Sequence, residues 1–76
     1  KTLSMIKFTL IIWVCSFLGG QVCMAPVESP FLYDSWYECS REAHKESIQI
    51  LSKLGYKAVN DGKIAMKYTC IPAESI

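Results

Sequence analysis

Four cysteines in a chain of only 76 residues limit what this protein can fold into more than any other feature of its sequence. A domain of this size buries too little apolar surface to be stable by its core alone, so a covalent or metal crosslink is common. Cys15, Cys23, Cys39 and Cys70 are separated by 8, 16 and 31 residues, and no Cys-x₂-Cys or His-x₃-His pair is present. Metal ligation is therefore not predicted. The cysteines instead predict disulfides and an oxidising compartment.

An apolar run near the N-terminus predicts a targeting segment. No charged residue occurs from Phe8 to Val27, and Lys1 and Lys7 precede the run. A basic flank followed by a short apolar stretch is typical of a signal peptide, and it places the rest of the chain outside the cytoplasm. We assign residues 1–20 to an apolar helix, either a signal peptide that is cleaved or a signal-anchor that is retained.

The state of Cys23 depends on that choice. Cleavage after Gly20 would remove Cys15 and leave Cys23 without a partner, as a free thiol that could link a homodimer. Retention would keep both cysteines, and lipid attachment at Cys23 is a third alternative. Residues 21–34 follow as an extended linker, because Pro26 and Pro30 cannot continue a helix.

Local signals define one amphipathic helix after the linker. Ser35 and Glu38 form a capping box at its start, and Gly55 stands where a helix commonly ends, with Lys53 in the last turn. At helical spacing the apolar face contains Trp36, Cys39, Ala43, Ser47, Ile50 and Leu54.

The spacing of the apolar residues changes beyond Gly55. Apolar and polar residues alternate through "KIAMKYTC" (63–70), and "NDG" (60–62) is a strong hairpin-turn signal. We therefore predict that residues 55–59 pair with residues 63–70. The predicted fold is α+β: behind the N-terminal apolar helix, residues 35–76 form a domain in which one amphipathic helix packs on a two-stranded antiparallel hairpin.

Cys39 and Cys70 lie on the two apolar faces that meet in this arrangement. A disulfide between them would tie the first turns of the helix to the end of the hairpin across 31 residues. By the chain-entropy model such a crosslink contributes roughly 3–4 kcal/mol. The alternative is two buried thiols that pack as small hydrophobes.

Catalytic chemistry is not predicted. His44 is the only histidine, and Ser40 and Glu42 cannot form a triad with it because side chains of one helix point in different directions. No glycine-rich phosphate loop is present, and no cofactor is expected. The chain after residue 20 has six basic and seven acidic residues without a basic cluster, so nucleic-acid binding is not expected.

Aromatic and apolar residues at the edge of the helix form a candidate interaction surface. It is large for a domain of one helix and one hairpin, and we expect part of it to contact a protein partner or a membrane surface. The candidate residues are Phe31, Tyr33, Trp36, Tyr37, His44 and Ile48.

The segments "IIWVCSFLGGQVC", "YDSWYECSREAHKESI", "VNDGKI" and "KYTC" together resemble a set of short exported proteins of marine bacterioplankton and their phages. The resemblance implies a periplasmic or inner-membrane protein and transfers no functional residue. We therefore expect a small exported protein, not an enzyme, that binds or has a structural role in the periplasm. The alternative is an envelope factor of the host or its phage, tethered to the membrane by a retained N-terminal helix.

Overall fold

A computed structural model describes residues 6–74 of the chain. In chain order its elements are β1 (Ile6–Ser16), β2 (Val22–Cys23), β3 (Val27–Tyr33), α1 (Trp36–Leu54), α2 (Tyr56–Gly62) and β4 (Ile64–Glu74). Residues 1–5 of the predicted targeting segment and residues 75–76 of the predicted C-terminal domain lie outside the described residues. The architecture is α+β, with a four-stranded antiparallel sheet and α1 packed on one face of it.

Strand β1 is the centre of this sheet. On one side it pairs with β4 along its whole length, from Ile6 opposite Glu74 to Ser16 opposite Ile64. On its other side the first half of β1 pairs with β3, and its last residues pair with β2. Because β4 follows α1 in sequence, the helix crosses over the sheet between β3 and β4.

The prediction of an apolar helix over residues 1–20 is wrong, since residues 6–16 within it form the strand β1. Five of its eleven residues are β-branched, and this composition favours a strand. Leu10 and Ile12 are buried against α1, and on the opposite face the ammonium of Lys67 lies 4.8 Å from the ring centre of Trp13. No helix within residues 6–74 is both long and apolar enough to cross a bilayer.

The predicted hairpin at residues 60–62 is also wrong. Residues 56–62 form the short helix α2, in which Lys57 and Asp61 make an ion pair of 2.7 Å one turn apart. The chain turns instead at Lys63, which has left-handed backbone angles (φ 51°, ψ 55°). Strand β4 then pairs with β1, so a partner more than forty residues away replaces the local one.

Helix α1 has the predicted ends. The backbone N–H of Glu38 donates a hydrogen bond of 3.1 Å to Ser35 Oγ, and the N–H of Gly55 donates to the Leu51 carbonyl. Gly55 has φ 92° and ψ 161°, a conformation that is open to glycine and strained for other residues. The helix therefore begins and ends where the sequence signals place it.

Replacing Ser35 by alanine is expected to lower the free energy of unfolding by about 1 kcal/mol. The backbone N–H of Glu38, which has no acceptor within the helix, loses its hydrogen bond to the Ser35 hydroxyl. Urea denaturation followed by circular dichroism measures the change. Ser52→Ala is the matched control, since Ser52 is exposed inside α1 and alanine favours helix interiors. Equal losses in the two variants would contradict the capping role.

The core lies between α1 and the sheet and includes the first disulfide. Cys39 on α1 and Cys70 on β4 are 0% and 3% exposed, and they form the bond that the sequence predicts. The other buried members are Leu10, Ile12 and Ala43.

A second disulfide joins Cys15 to Cys23, so the predicted free thiol at Cys23 is wrong. The two residues lie directly opposite each other on β1 and β2. The N–H of Met24 donates to the Val14 carbonyl next to them, so Cys15 and Cys23 form a non-hydrogen-bonded pair, whose side chains approach most closely. A homodimer linked through Cys23 is therefore not expected. Two disulfides indicate an oxidising, extracytoplasmic environment.

Candidate binding groove

A groove open to solvent runs between α1 and β3 on the helix-bearing face of the sheet. Its floor is apolar and consists of Leu10, Ile12 and Tyr33. One wall is formed by residues 27–31 of β3, and the other by Glu42 and Glu46 of α1. The groove encloses about 200 Å³. We call it the α1–β3 groove.

The groove lies between β3 and α1, over the middle of β1. Helix α1 buries Cys39 and Ala43 against the sheet, and its neighbouring flank, with Glu42 and Glu46, faces β3 without filling the space above Ile12. Phe31 on the β3 wall stays 66% exposed. The result is an apolar surface that neither the helix nor the strand covers completely.

The groove continues toward the start of α1. A second concavity there, of about 380 Å³, shares Tyr33 and Glu42 with the first part and adds Asp34, Glu38 and Arg41. In total, five of the seven acidic residues of the chain line the two parts together. They are Glu28, Asp34, Glu38, Glu42 and Glu46.

Two ion pairs neutralise part of this charge. Lys7 pairs with Asp34. Lys45, which is 64% exposed, lies 4.0 Å from Glu42, at the outer limit of an ion pair. An exposed pair of this kind contributes little and is easily replaced. Within the described part of the chain, Glu28 and Glu46 have no ion-pair partner.

The opposite flank of α1 has a different character. The Ser40 hydroxyl shares a hydrogen bond of 2.7 Å with the Tyr68 hydroxyl, and His44 Nδ1 lies 2.8 Å from the Ser40 carbonyl. The His44 and Tyr68 rings meet edge to face at 5.4 Å. The Ser40 hydroxyl is therefore bound to a tyrosine, and the imidazole Nδ1 is held by the backbone of its own helix.

Helix α1 divides the predicted interaction surface into separate parts. Phe31 and Tyr33 line the α1–β3 groove. Trp36 begins the helix, and its ring lies 6.0 Å from that of Phe8. The remaining three residues are exposed on the β4 flank, so the six do not form one surface. They are Tyr37, His44 and Ile48.

Sequence reasoning missed the carboxylates of the groove. Glu38, Glu42 and Glu46 recur every four residues, which places them along one flank of the helix. That spacing is visible in the sequence, but the position of β3 is needed to show that they line a groove. Within residues 6–74, no three His, Cys, Asp or Glu side chains come close enough together to hold a metal ion.

Comparison with known proteins adds no relative, since no family model, no curated protein and no solved structure matches this chain.

Proposed function

We propose that this chain is a non-enzymatic binding protein of the periplasm, and that it holds a segment of a protein partner in the α1–β3 groove. The observation that carries the proposal is the solvent-open groove with its apolar lining, in which one wall residue, Phe31, is 66% exposed. In a domain this small, apolar surface of this kind is costly to leave in water, and a concave apolar site is typical of ligand binding.

The side chains around the groove support binding rather than catalysis. His44 lies on the other flank of α1, and every cysteine is in a disulfide. The hydroxyl of Ser29, a groove residue, is 3.3 Å from the Tyr33 hydroxyl and 3.2 Å from the Phe31 backbone N–H. None of these groups forms a nucleophile–base pair.

The charge of the groove supports a protein partner rather than a membrane surface. Anionic lipid headgroups attract basic segments and repel carboxylates. Glu28, Glu42 and Glu46 surround the apolar floor, so approach to an anionic bilayer through this groove would be unfavourable.

A random-peptide display selection against the oxidised, full-length chain tests this proposal. We expect selected peptides to bind with micromolar dissociation constants, and Phe31→Ser to weaken them about tenfold through the lost apolar contact. Tyr56→Ser is the matched control, because Tyr56 is an aromatic residue 85% exposed on α2 and outside the groove.

Three results would contradict the proposal. These are a selection that yields no binder, equal weakening by the two substitutions, and cleavage of the bound peptides during incubation, as judged by mass spectrometry. The first two would reject the groove as the binding site. The third would reject a non-enzymatic role.

A further inference from the structure

We infer that the partner segment of the α1–β3 groove is an extended, basic peptide in which apolar residues alternate with lysine or arginine. This inference rests on the proposed function and specifies the chemistry of the ligand. It is carried by the size of the groove, by the charge on its two walls and by the spacing of the carboxylates on α1.

The size of the groove selects a single apolar side chain. A buried apolar cavity of about 150 Å³ accepts one benzene molecule, whereas sites for drug-sized ligands enclose about 300 Å³ or more. The apolar part of the α1–β3 groove, above Leu10, Ile12 and Tyr33, encloses about 200 Å³. One leucine or phenylalanine side chain therefore matches the space that this floor leaves open.

The walls select positive charge next to that side chain. Glu28 lies on β3, and Glu42 and Glu46 lie on α1, so carboxylates stand on both sides of the apolar floor. Like charges one helical turn apart repel each other, and cations placed between the walls would relieve this repulsion. The whole chain has a net charge of only +1, so the attraction is a property of the groove rather than of the entire protein.

The spacing of the carboxylates fits an extended chain. Glu38, Glu42 and Glu46 follow one another every four residues on α1, which separates them by about 6 Å along the helix axis. In an extended peptide, side chains on the same face recur every second residue, or about 6.7 Å. Successive lysine or arginine residues at alternate positions can therefore each reach one carboxylate of this row.

The alternation also directs the apolar residues away from that row. In an extended peptide, neighbouring side chains point to opposite faces. With the cations toward Glu42 and Glu46 on α1, the residues between them point toward the β3 wall, where Phe31 is exposed and Glu28 is the one carboxylate. A leucine–lysine repeat supplies both the cations for the carboxylates of α1 and the apolar side chains for the rest of the groove. A peptide with only one of the two residue types supplies only one of these contacts.

Calorimetric titration of the oxidised, full-length chain with three blocked hexapeptides tests this inference. The peptides alternate leucine with lysine, with serine or with glutamate. We expect the leucine–lysine peptide to bind about tenfold more tightly than the leucine–serine peptide, since each exposed ion pair contributes a factor of up to about five. We expect no binding of the leucine–glutamate peptide.

Two substitutions on the protein locate the effect. Replacing Glu42 and Glu46 together by glutamine is expected to weaken the leucine–lysine peptide about tenfold and to leave the leucine–serine peptide unchanged. Asp61→Asn removes the same type of charge on α2, outside the groove, and is expected to change neither peptide. All these side chains are on the surface, so circular dichroism should show unchanged folding.

The outcomes separate this inference from the proposed function. Equal affinities for the lysine and serine peptides, both weakened by Phe31→Ser, would reject the basic partner and leave groove binding in place. Binding of the lysine peptide that Asp61→Asn weakens as much as the double substitution does would reject the groove as its site. If no peptide binds and the display selection also yields no binder, both proposals fail.

Discussion

Replacing Cys39 and Cys70 together by alanine is expected to lower the free energy of unfolding by about 3.5 kcal/mol. The bond closes a loop of 31 residues, and the chain-entropy model assigns roughly that stabilisation to a loop of this length. Cys39 and Cys70 are 0% and 3% exposed, so the bond also fills the centre of the core. Domains of this size are stable by about 3–10 kcal/mol in total. The variant should therefore be close to unfolding at 37 °C.

The second disulfide provides the matched control. Cys15 and Cys23 are only eight residues apart, for which the same model gives about 2.5 kcal/mol. They also join two strands that are already paired, whereas the Cys39–Cys70 bond ties α1 to the sheet. Urea denaturation of the two double-alanine variants measures the difference. A larger loss for the Cys15–Cys23 variant would contradict the assignment of Cys39–Cys70 as the main crosslink.

The parts of this fold that the sequence predicts are the parts specified locally. Ser35, Glu38 and Gly55 act on backbone groups within one turn of themselves, so the ends of α1 can be read from neighbouring residues. The Cys39–Cys70 bond is the exception, since it joins residues 31 positions apart. It could be predicted because each cysteine lies on the apolar face of its own element, and the two faces must meet.

The N-terminal segment could not be assigned this way. A continuous apolar run is typical of a signal peptide, a short membrane helix and a central strand alike, and periodicity does not separate them. What makes residues 6–16 a strand is pairing with β4 and β3, and these partners are distant in sequence. The same error hid the Cys15–Cys23 bond, because a removed leader would have taken Cys15 with it.

The prediction of a hairpin turn at residues 60–62 was wrong for a related reason. Asn60, Asp61 and Gly62 are good turn formers, but a hairpin also needs a strand on each side. Residues 56–62 form a helix instead, and the reversal falls on Lys63, which the sequence does not mark as a turn residue. Strand β4 was predicted with the correct alternation and the wrong neighbour.

The candidate site was predicted in part. Phe31 and Tyr33 do border an open apolar groove, but Tyr37, His44 and Ile48 lie across α1 from them. Helical spacing could not have separated the two groups, because Phe31 and Tyr33 lie on β3 and only the other three residues lie on α1. The groove itself depends on the gap between β3 and α1, and that gap is a tertiary feature.

Leu10 belongs to the N-terminal apolar run. Replacing it by alanine is expected to lower the free energy of unfolding by about 3 kcal/mol, as large-to-small substitutions in a close-packed core do. Leu10 is 1% exposed, lies opposite Cys70 on β4 and forms part of the groove floor. Alanine cannot fill that space, and the surrounding disulfide limits how far the core can collapse around it.

Phe17→Ala is the control within the same apolar run, because Phe17 is 49% exposed just beyond the end of β1. The loss in the free energy of unfolding there should be below about 1 kcal/mol, which is typical of substitutions at partly exposed positions. Urea denaturation under non-reducing conditions compares the two variants with the parent chain. If the run were outside the folded domain, as a leader or anchor is, neither substitution would change stability. A loss confined to Leu10→Ala is the result that only a central β1 explains, because burial distinguishes these two side chains and position in the apolar run does not.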